Sequence, residues 1–119
     1  MHIINAVEIM GRQVGIEFSL NDEGVASLNM GENNSLFFER REDTMVVSLA
    51  RKLSGDPMSA LERGFEKCAP ENDPRMGLRV ALFREDTLVV ISKLEKYHLN
   101  AGMADQILPY LVGVMDEIV

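Results

Sequence analysis

Seven residues, REDTMVV at 41–47, return with one change as REDTLVV at 84–90. Arg-Glu-Asp suits an exposed corner, and Thr-(Met/Leu)-Val-Val suits the start of a strand, because β-branched residues pack well on a pleated surface. Each copy is preceded and followed by alternating apolar residues, "SLFFERR" before and "SLARKL" after the first, "LRVALFR" before and "ISKLEKYHL" after the second. The recurrence therefore predicts two antiparallel hairpins that share a turn. The surrounding residues do not match, so the chain is not a repeat protein.

Side chains alternate along a strand, so the turn fixes which residues share a face. With Glu42 and Asp43 as the first loop, Arg41 faces Thr44, Phe38 faces Val47 and Leu36 faces Leu49. Leu36, Phe38, Met45, Val47 and Leu49 then form one apolar face, with Phe37, Glu39, Val46, Ser48 and Ala50 on the other. Applying the same two-residue loop to the second hairpin pairs Phe83 with Leu88, Leu82 with Val89 and Val80 with Ile91. Ala81, Phe83, Leu88 and Val90 are then expected on one face, and Val80, Leu82, Val89 and Ile91 on the other. Both faces are apolar. One layer of helices covers only one of them, and a subunit partner is the economical cover for the second.

The rest of the chain supplies the helices. Ile3, Ile4, Val7, Met10 and Val14 recur at helical spacing, with Gly15 as a stop. "IEFSL" reads as extended, and "NDEG" and "GENN" as turns around an alternating segment that puts Ala26, Leu28 and Met30 on one side. Between the hairpins lies a short helix, started by Asp56 and Pro57 or by a Ser59–Glu62 capping box and ended by Pro70 and Pro74. Its expected stripe is Met58, Leu61, Phe65 and Cys68. The tail opens at Asn100 and carries Met103, Ile107, Leu111, Val114, Met115 and Ile118 at helical spacing, with a kink or break expected at Pro109. The order is α-β-β-β-α-β-β-α over a single domain, residues 1–119. The fold class is α+β: a sandwich with a twisted antiparallel sheet flanked by helices.

Composition narrows the function. Twelve basic against nineteen acidic residues give a net charge of −7. Such a surface repels phosphate backbones and argues against a nucleic-acid partner. No apolar run approaches the length of a bilayer span, and the N-terminus lacks the basic start of a signal peptide, so the expectation is a cytoplasmic protein without membrane insertion. Cys68 stands alone, and with His2 and His98 as the two histidines no soft-ligand metal cluster forms within one chain. The eight methionines fit either gap-filling in a small core or an adaptable apolar surface.

No motif carries catalysis. Glu42, Asp43, Glu85 and Asp86 are carboxylates at turn tips, where solvent keeps them ordinary anions. "NDEG" and "GENN" lack calcium-loop spacing. No glycine-rich phosphate loop is present. Cys68 has no nearby His or Asp and lies on an apolar stripe, so it reads as a buried structural thiol. The expectation is a non-enzyme with no catalytic residues, no metal and no cofactor.

The stretch "NDEGVASLNMGENNSLFFERREDTMVVSLARKL", with the order of elements, small size and acidic balance, resembles the class I type III secretion chaperones of the CesT/Tir-chaperone group. The specific part is residues 20–53, where an acidic turn with Gly24 leads into an alternating strand, then "LFFE", then an apolar strand. The resemblance implies an ATP-independent, dimeric virulence chaperone. Such a protein holds the extended N-terminal segment of a secreted effector or gate protein ready for export. It further implies client contacts through the first helix and first three strands, here Ile4, Val7, Val25, Phe37 and Val46. Dimer contacts through the middle helix and second hairpin fall on Met58, Leu61, Phe65, Val80, Leu82, Val89 and Ile91. A homodimer is the leading expectation, with a heterodimer with a second small chaperone left open. Gly64 is expected to interrupt the middle helix and shrink that contact. The competing reading is a small regulatory adaptor of the secretion apparatus that binds a folded partner.

Overall fold

The computed structural model describes residues 25–31, 33–69, 77–95 and 101–119, with side chains from residue 106 onward in the last segment. The expected helix at 3–14, with Ile4 and Val7, and the expected helix stops at Pro70 and Pro74 lie outside the described residues. Among the described residues seven elements follow one another: β1 (Val25–Asn29), β2 (Asn34–Arg41), β3 (Thr44–Lys52), α1 (Met58–Lys67), β4 (Leu78–Phe83), β5 (Thr87–Glu95) and α2 (Ala101–Ile118). The strands form one sheet in the order β1-β2-β3-β5-β4, with every neighbouring pair antiparallel. The α+β architecture is as the periodicities predict.

The first hairpin has the predicted register: Arg41 opposite Thr44, Phe38 opposite Val47, Leu36 opposite Leu49. The Thr44 hydroxyl donates to the Arg41 carbonyl at 2.9 Å and closes the corner. The second hairpin does not follow it. Phe83 pairs with Thr87, Leu82 with Leu88, Ala81 with Val89 and Val80 with Val90, leaving Arg84, Glu85 and Asp86 as a three-residue loop. Asp86 is held in that loop from three sides. Its carbonyl accepts from the Leu53 amide at 2.8 Å, its carboxylate accepts from the Thr87 hydroxyl at 3.0 Å, and Lys52 lies 3.7 Å away. Arg84 takes a left-handed φ of 59°. Contacts from the end of β3 thus override the shared letters, and one residue of slip regroups the faces. Val80 and Leu82 join Leu88 and Val90, while Ala81 and Phe83 join Val89 and Ile91.

The core lies on one side of the sheet. Leu36, Phe38, Met45, Val47, Leu49, Leu78, Leu88, Val90 and Leu94 are buried there beneath Ala60 of α1, Cys68 at its C-cap, and Ile107, Leu111, Val114, Met115 and Ile118 of α2. α2 runs through Pro109 without dividing; the proline is exposed, on the side where a missing amide is least costly. α1 begins as the Asp56 cap predicts: the Asp56 carboxylate accepts from the Met58 amide at 3.0 Å, and Pro57 already has helical dihedrals.

The buried stripe of α1 differs from the expected one. Pro57, Ala60, Gly64 and Cys68 face inward, Leu61 is half-buried against the core, and Met58 and Phe65 point outward. The reason is distance. A Cβ on Gly64 would stand 2.8 Å from Val80 Cγ2, so α1 lies close against β4 and only its smallest side chains fit between. Gly64 does not interrupt the helix; it is the point of closest approach.

The two helices are tied at their ends. Arg63 Nε donates to the Ile118 carbonyl at 2.8 Å, a cation at the negative end of the α2 dipole. Lys67 pairs with Glu117, which holds its ammonium above the ordinary range by hydrogen bond and charge. Arg51 joins α2 to the sheet through Asp116 at 2.9 Å and reaches Asn34 Oδ1 on β2 at 2.8 Å.

Candidate interaction surfaces

Among the described residues two surfaces outside the core carry large exposed apolar side chains. Phe65 is 60% exposed, Phe83 57%, Met58 47% and Phe37 41%. Single exposed apolar residues are ordinary; grouped ones mark contact sites.

The first surface is the outer side of α1 beside β4. Met58 and Phe65 are seven residues apart, two helical turns, and so emerge from one side of the helix with Leu61 between them. Among the described residues β4 is an edge strand, and edge strands are where further chains pair. Val80 and Leu82 lie on the same side of the sheet as α1 and are half-buried. Five of the residues expected at a subunit contact, Met58, Leu61, Phe65, Val80 and Leu82, therefore belong to the helix-bearing side. Val89 and Ile91 lie on the opposite side, so one flat contact does not include all seven.

The second surface is the side of the sheet opposite α1 and α2. Rows read across the strands place Val25, Glu39, Val46 and Lys93 side by side, and next to them Ser27, Phe37, Ser48, Ile91 and Arg79. Val25, Phe37 and Val46, expected from the resemblance as client contacts, thus share one face. Phe37 is its most exposed member on β2, with Val25 and Val46 half-buried on either side. Glu39 lies between the two valines and is engaged by Arg41 through two hydrogen bonds of 2.9 and 3.1 Å. Phe83 and Ala81 extend the apolar surface at the far edge. The exposed placement of Phe83 follows from the longer second loop, which moves it to the side of Val89 and Ile91.

Ionisable chemistry is sparse. Among the described residues no three His, Cys, Asp or Glu side chains gather as a metal site. Cys68 is free and buried, and burial raises its thiol above the ordinary value of 9.0 while Lys67 opposes the shift. A raised thiol is a poor nucleophile. Among the described residues no helix is long and apolar enough to cross a membrane.

Among the described residues the sheet packs one side against the helices and carries exposed apolar side chains on the other. The chain belongs to the type III secretory system chaperone SycN family, whose model matches residues 2–119. No curated protein sequence matches the chain. Among solved structures, Yersinia pestis SycH, a type III secretion chaperone in complex with a stable fragment of YscM2, is similar at TM-score 0.74 and 17% identity. That likeness covers 99% of this chain and all of the other. A chain of the HopA1–SchA chaperone–effector complex is similar at TM-score 0.70 and 10% identity, covering 95% and 89%. A chain of the heterodimeric ExoU–SpcU complex of the Pseudomonas aeruginosa type III secretion system is similar at 0.64 and 16%, covering 95% and 94%. At these identities the likeness is one of fold.

Proposed function

We propose that this chain is a dimeric cytoplasmic secretion chaperone that holds the extended N-terminal segment of a secreted effector or gate protein in an export-competent form. The open side of the sheet supports this reading most directly. Val25, Phe37 and Val46 form an apolar strip on regular strands, where a chain laid alongside finds pockets of alternating side chains. Family membership and the complexes in which similar folds are found support a client that is itself a protein. The role is binding and shielding, without catalysis, cofactor or metal.

Dimerisation uses the other side: Met58, Leu61 and Phe65 on α1, with Val80, Leu82 and the free edge of β4 beside them. Covering Met58 and Phe65 would contribute about 2 kcal/mol each, and a symmetric contact gathers four such side chains. Coexpression with N-terminal segments of secreted proteins, followed by native mass measurement, tests the reading. The expected particle holds two copies of the 13.3 kDa chain and one client segment. A single copy that retains no segment refutes it.

A further inference from the structure

On the outer side of β5 and β4, half-buried Val89 and Ile91 lie beside exposed Ala81 and Phe83. The register sets Ala81 against Val89, Phe83 against Thr87 and Arg79 against Ile91. Lys52 is opposite Thr87, and Lys93 is opposite Val46. The apolar strip is therefore bounded by cations at both ends. At one end are Lys52 and Arg84, whose guanidinium carbon is 5.2 Å from the Phe83 ring centre. At the other are Arg79 and Lys93, both exposed. Among the described residues the acids nearby are Asp86 beside Lys52, Glu85 in the turn and Glu95 beyond Lys93. Four described cations to three described acids is a local reversal in a chain with 12 basic and 19 acidic residues.

Thr87, in the row of Lys52, and Lys93 are six residues apart on β5, about 20 Å at strand rise. An extended segment spans that distance in about six residues, whereas a helix needs about thirteen. We propose that this patch takes an extended client segment whose apolar residues are flanked by carboxylates about six residues apart. The inference rests on the chaperone reading and adds a charge rule to it. The strip supplies contact area, and the cationic ends select and orient.

The test uses the full chain and fluorescent peptides with an alternating Leu/Thr centre, flanked by Asp at both ends or by Lys at both ends, read by anisotropy. The Asp peptide should bind about tenfold tighter than the Lys peptide, and 0.5 M salt should shrink the difference. Arg79→Glu with Lys93→Glu should reverse the preference, Arg79→Gln with Lys93→Gln should abolish it, and Phe83→Asp should weaken both peptides. Equal binding of the two peptides, or no response to charge reversal, overturns the proposal. So does Phe83→Asp converting a dimer to a monomer, since the patch would then be a contact between copies. Coexpression separates this failure from a broader one. If the charge-reversed protein retains a secreted segment as well as the unaltered one does, this inference alone falls; if the unaltered protein retains none, the chaperone reading falls with it.

Discussion

Gly64 decides where α1 sits. An added methyl would meet Val80 Cγ2 at 2.8 Å and Cγ1 at 3.1 Å, and a β-branched side chain on a strand has little freedom to move aside. Gly64→Ala should therefore lower stability by about 1–2 kcal/mol, overpacking outweighing alanine's better helix propensity of about 1 kcal/mol. Adding Val80→Ala should recover part of the loss. Urea midpoints of the single and double variants check this; an unchanged or raised midpoint for Gly64→Ala contradicts it. Cys68 gives a pH signature. Its folded thiol is raised by burial, so its contribution is fully present below the unfolded thiol's pKa. The contribution is lost as pH rises through that value toward the folded one, because the unfolded chain ionises first. Stability between pH 8 and 10 should fall more steeply in the unaltered protein than in Cys68→Ala, and parallel slopes would contradict the burial argument.

At the scale of elements, the sequence was legible where local pattern and tertiary contact agree. The first hairpin's register, the alternation of Ala26, Leu28 and Met30, the Asp56 cap and the α2 stripe from Ile107 to Ile118 all follow from spacing alone; the Met103 side chain lies outside the described residues. It was less legible where distant groups decide. The second hairpin shares its turn letters with the first, yet Leu53 and Lys52 at the end of β3 grip Asp86 and add one residue to the loop. The inward side of α1 differs from its hydrophobic stripe because hydrophobicity favours Met58 and Phe65, while close approach to β4 favours Ala60 and Gly64. The small residues four apart were the available signal. Two expectations follow for α1. Asp56→Ala should cost about 1 kcal/mol of unfolding free energy through loss of the cap. Met58→Asp and Phe65→Asp should each weaken self-association about 10- to 100-fold while moving subunit stability by no more than about 0.5 kcal/mol. Sedimentation across a concentration series reads the first quantity and urea unfolding the second. Unaltered association in both variants would remove α1 from the subunit contact.

For the molecule as a whole, the arrangement separates two tasks. Among the described residues both helices cover the same side of the sheet and are tied to each other and to β3 by Arg63, Lys67 and Arg51. On the proposed reading, the outward side of α1 meets a second subunit and the opposite side of the sheet meets a client. The proposed client contacts are legible only as a face: Val25, Phe37 and Val46 share it, while the position of Phe83 depends on a loop length set by contacts from β3. The net charge of −7 keeps such an apolar-surfaced protein dispersed. Limited proteolysis of a secreted protein's N-terminal segment, with and without this chain, tests the central claim most directly. The segment should survive when the unaltered protein is present and be cut when Phe37→Asp replaces it. Cleavage at one rate in all three samples would contradict the account.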